Sequence, residues 1–135
     1  AQNPTQVSPD EFAGLRWLEG RWVGSGDGVE AFYESYRFLD DGTIEQTTYP
    51  DATFATPSSR STIEHRGGFV TKSVDGTVQS VVTDLDGDEI EFEWAERARP
   101  GFKWTRISDD QWVAVLERRG QAPMIYSMQR VSEVR

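Results

Sequence analysis

Through the second half of the chain, large apolar side chains fall at every other position. Ile90, Phe92 and Trp94 alternate with Glu89, Glu91 and Glu93, Phe102 and Trp104 alternate with Lys103 and Thr105, and Trp112, Ala114 and Leu116 form a third row. Successive side chains of a strand point to opposite faces, so each row predicts a strand with one face buried. The same period of two predicts strands over 21–26, 29–39, 43–49, 60–66, 69–74, 77–85, 89–96, 101–107, 111–119 and 124–130. Between them lie hairpin signals, "DDG" at 40, "RGG" at 66, "DG" at 75, "DGD" at 86 and "SDD" at 108.

Before the strands the period is helical. In "SPDEF", Ser8 is placed as an N-cap, Pro9 at the first helical position and Glu11 three residues after the cap. A helix over 8–19 follows, burying Phe12, Leu15 and Leu18, leaving Glu11 and Arg16 wet, and ending on Gly20 in a left-handed conformation. Residues 1–7 are polar and read as a disordered tail, with 8–135 as a single domain.

About ten hairpin-linked strands without a second helix predict an all-β fold, an antiparallel up-and-down β-barrel whose short N-terminal helix closes one end. Eight strands leave room for packed side chains or one small ligand, so ten leave a cavity unless aromatic side chains fill it. The inward rows make Trp94, Trp104, Trp112 and Tyr126 its lining, with Tyr36 from the second strand. The irregular stretch Pro50–Ser59, with Phe54 its only large apolar residue, is expected at the mouth or as a lid.

The run "LEGRWVGSG" is glycine-rich, but a phosphate loop needs its glycines between a strand and a helix N-terminus. Here "GSGDG" leads into "VEAFYESYRF", which reads as a strand, so Gly24, Gly26 and Gly28 fit a bend, a bulge or a close backbone approach. A short helix leading into Gly20-Arg21-Trp22 resembles the calycin superfamily of lipocalins, fatty-acid-binding proteins and nitrobindin-like barrels. That resemblance implies that Trp22 closes the barrel base and that Arg130, in "MIYSMQR", packs across it. It further implies that interior Arg and Tyr residues, here Arg106 and Tyr126, meet a ligand carboxylate. Nitrobindins hold haem through a His near the C-terminus; this chain has no His after His65, so that route is closed and no cofactor is expected.

Arg106 is in phase with Phe102 and Trp104 and so points inward, where it needs a carboxylate from Glu34, Glu30 or a ligand, unless it sits at a rim and reaches water. His65, in phase with Ser61 and Ile63, reads as a satisfied core residue bonded to Thr71, Ser73 or a loop carbonyl, as a ligand contact, or as a metal ligand, the last with no second His and no Cys to help it. Asp84, Asp86 and Asp88 have calcium-loop spacing, but Gly87 stands at the fourth position rather than the sixth, which reads as a hairpin turn.

Composition narrows the partners. The 135 residues carry 23 acidic and 14 basic side chains, a formal charge of −9, which disfavours nucleic acid and anionic membrane surfaces. No apolar run approaches the ~20 residues of a membrane-spanning helix. Zero Cys removes disulfides, thiol nucleophiles and Cys-based zinc sites. The start "AQNPTQ", without Met, reads as a mature exported protein, periplasmic or extracellular, after signal removal.

The expectation is therefore non-enzymatic binding or carriage of a small, mostly apolar or amphipathic molecule, with a carboxylate as one option for its head. The alternatives are an isomerase or haem-dependent enzyme using the same cavity, and a protein-interaction module around a solid barrel. The site expected for the first comprises Tyr36, His65, Trp94, Trp104, Arg106, Trp112 and Tyr126, with Trp22 and Arg130 as the structural pair, no catalytic residue and no metal.

Overall fold

A computed structural model describes residues 4–96 and 100–131. Ten strands follow the N-terminal helical segment: β1 (Gly20–Gly26), β2 (Val29–Asp40), β3 (Thr43–Tyr49), β4 (Ser59–Arg66), β5 (Phe69–Val74), β6 (Thr77–Asp86), β7 (Glu89–Trp94), β8 (Phe102–Ser108), β9 (Gln111–Arg118) and β10 (Gln121–Arg130). Each pairs antiparallel with its sequence neighbours, and β10 returns to β1, closing the barrel. Closure leaves no unpaired edge along the wall. The strand alternation read from sequence matches these elements closely; of the expected strand 89–96, the regular part ends at Trp94.

The helical segment starts as expected. Ser8 Oγ accepts from the Glu11 amide while the Glu11 carboxylate accepts from the Ser8 amide, and Pro9 opens the first turn. The α-helix α1 covers only Pro9–Ala13, after which Gly14–Leu18 tightens into a 3₁₀ helix. The reason lies in the spacing of the buried residues. Phe12, Leu15 and Leu18 are three apart, the repeat of a 3₁₀ helix, so tightening keeps all three on the barrel side, and none is exposed. Gly20 does not cap this segment; it opens β1 with φ 131°, and a Cβ there would strike the Arg130 guanidinium.

This segment covers the end where the β2–β3, β4–β5, β6–β7 and β8–β9 turns gather. Trp17 Nε1 donates to Gly87 O at 3.3 Å, and Phe12 stands edge-on to Phe38 and stacks on His65. The expected tail is partly built in. Thr5 and Val7 donate their amides to Val82 O and Gly68 O, and Val7 is buried, so residues 4–7 are tied down by backbone bonds that a polar composition does not reveal; residues 1–3 lie outside the described residues.

Trp22 is wholly buried at this base, and its indole donates to Leu18 O at 2.7 Å. Arg130, opposite Trp22 in the β1–β10 register, lies 4.3 Å above the indole ring. Its guanidinium donates to Glu19 O at 2.7 Å, Trp17 O at 3.3 Å and Asp109 O at 2.9 and 3.0 Å. One side chain therefore ties the 3₁₀ helix, the β8–β9 turn and the last strand together.

Candidate functional site

Above that base the interior divides into a packed half and an open half. Trp112 forms the boundary, edge-on to Trp22 at 6.0 Å, to Trp17 at 6.2 Å and to Tyr36 at 5.8 Å, and 5.0 Å from Trp104. Its Nε1 is buried among these rings without a hydrogen-bond partner. Toward the β1–β2, β7–β8 and β9–β10 turns the side chains no longer meet across the barrel. They leave a cavity of about 340 Å³, within the ~300–1,000 Å³ of small-molecule sites.

Its wall is aromatic. Trp94, Phe102 and Trp104 come from β7 and β8, Trp112 from β9, Phe32 and Tyr36 from β2, and Tyr126 from β10, with Val29, Ala114, Leu116 and Met128 between them. Phe32 enters because β1 gives way: a Cβ at Gly24 would collide with the Phe32 ring, and the β1–β2 register shifts between Gly24 and Gly26. Phe32 then stands edge-on to Tyr126 at 5.5 Å.

The polar groups of the cavity are Glu34, Gln46 and Lys72, with the Tyr36 hydroxyl. All of them but Lys72 belong to one directed chain. Ser61 Oγ donates to Gln46 Oε1 at 2.7 Å, Gln46 Nε2 donates to the Tyr36 hydroxyl at 2.7 Å, and Tyr36 donates to Glu34 Oε1 at 2.9 Å. Burial pushes the Glu34 carboxyl above its ordinary range, against the lowering effect of Tyr36, Gln46 and Lys72. Burial and the adjacent carboxylate raise the Tyr36 hydroxyl well above a normal phenol. Lys72 moves the other way: desolvation lowers its ammonium, and attraction to Glu34 only partly opposes this. No group of three or more His, Cys, Asp or Glu suited to a metal occurs among the described residues.

Of the residues singled out in the sequence, Tyr36, Trp94, Trp104, Trp112 and Tyr126 meet at this cavity, and Trp22 and Arg130 form the base pair. Two others lie elsewhere. Arg106 has the expected phase, but it sits two residues beyond Trp104 on β8, about 7 Å further toward the closed end. There it pairs with Asp88 and Asp109 rather than with Glu34 or Glu30. The rim alternative for Arg106 is thus the one found. His65 also lies at the closed end, bonded through Nε2 to Val7 O at 2.5 Å and stacked on Phe12, a satisfied residue held by a loop carbonyl.

The Pro50–Ser59 stretch leaves the open rim but does not line or cover the cavity. It folds back over the outer wall, where Phe54 packs edge-on against Tyr49 and Tyr33 and Arg21 lies 5.1 Å from its ring. A second concavity, lined by Arg21, Arg37, Arg60 and Arg130, also lies on the outside, across β1 to β4 and the end of β10.

Sequence reading missed Lys72 and Gln46. Both had a signal: Lys72 shares its phase with Val70, and Gln46 shares its phase with Ile44. A lone polar residue on a short, mostly polar strand is not distinguishable from an outward one until the register is known.

No protein-family model and no curated protein matches the chain. Among solved structures, a redesigned β-barrel is similar to it, with 10% identity, a TM-score of 0.44, and coverage of 95% of this chain and 100% of that one. Likeness at that level says nothing about function. No helix among the described residues is long and apolar enough to cross a membrane.

Proposed function

We propose that the protein binds and carries a small, mostly apolar molecule in the open half of its barrel, without catalysing its conversion. The observation that carries this is the cavity itself: about 340 Å³ bounded by seven aromatic side chains, in a barrel whose other half is tightly filled. Interiors hold few voids larger than a water, and burying apolar ligand surface here yields ~25 cal/mol per Å². Trp22 under Arg130, beneath a short helical plug, supports the calycin-like reading of the barrel.

An acidic head, if the ligand has one, does not meet Arg106, whose guanidinium is engaged by two aspartates at the closed end. Lys72 is the cation of the cavity, and it already faces Glu34. The ligand body is therefore specified by the aromatic wall, and its polar end by Lys72 and the Glu34–Tyr36–Gln46 chain.

Native mass spectrometry of the purified protein, together with Trp fluorescence titration with 1-alkanols of increasing length, tests this. A co-purified small-molecule adduct, or affinity that rises with chain length until the cavity is full, is expected. A bare protein mass with no fluorescence response to any alkanol overturns the reading.

A further inference from the structure

Only two of the fourteen basic residues are Lys, namely Lys72 and Lys103; every other cation is Arg. Lys103 points outward on β8 and pairs with Glu89 at 3.3 Å. Lys72 points inward from β5, its backbone opposite Ile63 and Ser80, and lines the aromatic cavity. Among the described residues it makes no hydrogen bond and no ion-pair contact; Glu34 acts on it only at a distance through the cavity. An unpartnered lysine in an apolar pocket is the environment that turns an ammonium into a free amine nucleophile, which the always-charged Arg used elsewhere in the chain cannot become.

The charge balance of the cavity selects the class of electrophile. Lys72 and Glu34 are its two ionisable groups of opposite sign, and together they are neutral. A carboxylate ligand would bring a second negative charge beside Glu34 in a desolvated space. A carbonyl compound adds no charge.

We propose that Lys72 captures apolar aldehydes as a Schiff base in this cavity, with Glu34 supplying the proton for water loss and remaining as counter-ion. The inference rests on the cavity being a ligand site. The neutral amine of Lys72 adds to the carbonyl carbon, and one amine proton passes to the oxygen to give a carbinolamine. Glu34 protonates the hydroxyl, water leaves, and the nitrogen lone pair forms the C=N bond. The products are an iminium, one water and the Glu34 carboxylate, so atoms and charge balance. Tyr36 and Gln46, which donate toward Glu34, then stabilise that carboxylate. The aliphatic or aromatic tail lies against Trp94, Phe102 and Trp104.

The test is reductive trapping of the wild-type protein with octanal and sodium cyanoborohydride near neutral pH, with peptide mapping of the adducts. Lys103 serves as the internal surface control. Modification of Lys72 should exceed that of Lys103 by about tenfold or more. The Lys72 advantage should shrink when propanal replaces octanal and grow as pH falls from alkaline toward neutral. Lys72→Arg should abolish the cavity adduct while Lys103 is still modified at its wild-type rate, and 1-octanol quenching of wild-type Trp fluorescence reports ligand binding separately; should that variant not fold, the Lys72-to-Lys103 ratio in wild type decides alone. Octanol binding with Lys72 trapped no faster than Lys103 overturns the Schiff base and leaves the carrier reading standing. Absence of both octanol binding and trapping overturns the two together.

Discussion

Replacing Arg130 by Met removes a side chain of similar length that makes four hydrogen bonds and one ring contact. The ion pair with Asp110 contributes little, since that aspartate is largely exposed. The Asp109 carbonyl is also solvent-accessible and recovers water. What remains is the loss of a charged donor at the part-buried carbonyls of Glu19 and Trp17, on the order of 1 kcal/mol each after partial rehydration. The cation–π contact with Trp22 adds about 1 kcal/mol. The expected destabilisation is ~3 kcal/mol, against a typical total of ~5–15 kcal/mol, so the variant should fold and remain measurable. In urea unfolding followed by Trp fluorescence, with an m-value of ~2 kcal/mol/M, the midpoint should fall by ~1.5 M. Arg130→Lys restores the charge but not the fork, and should recover less than half. A loss under ~1 kcal/mol for Arg130→Met, or a Lys variant equal to wild type, would refute the account of the base.

Leu15→Ala, at a fully buried position of the plug, should cost ~2–5 kcal/mol, read as a lowered melting temperature; a change within error would show that the helical segment does not seal the barrel. Because folding raises the Glu34 pKa, the native state holds more protons than the unfolded one between the ordinary glutamate value and the raised one. Wild type should therefore lose stability relative to Glu34→Gln as pH rises through that window, and parallel urea midpoints from pH 4 to 8 would contradict it. Arg106→Ala should leave alkanol affinity unchanged and Trp104→Ala should weaken it, as measured by native mass spectrometry; the reverse order would relocate the site. Gly24→Ala forces the Phe32 ring out of its place and should weaken alkanol binding with less effect on the base.

Strand alternation made most of the barrel legible, because a period of two fixes which face each residue presents and hairpin turns fix which strands are neighbours. Trp94, Trp104 and Trp112 were readable for that reason. Depth along a strand was not. Arg106 and His65 carry the inward phase, yet two residues of rise put each of them at the closed end, beside Asp109 and Val7 respectively. Lys72 does carry the inward phase of Val70, but the register shift between Lys72 and Ser73 lets both look inward, which alternation alone does not show. The loop carrying Phe54 leaves the open rim as expected but turns outward rather than over the cavity, because its partners, Tyr33 and Tyr49, form an outward aromatic pair visible only once β2 and β3 are in register.

The central claim is that a small apolar molecule enters the open half of the barrel, and the five indole N–H signals of a ¹⁵N–¹H correlation spectrum report on it residue by residue. Trp94, Trp104 and Trp112 line the cavity, whereas Trp17 and Trp22 lie at the closed base. Titration with 1-octanol should shift the Trp94 and Trp104 indoles most, Trp112 at the floor less, and Trp17 and Trp22 least. Uniformly unmoved indoles at saturating octanol, or shifts confined to Trp17 and Trp22, would contradict the account.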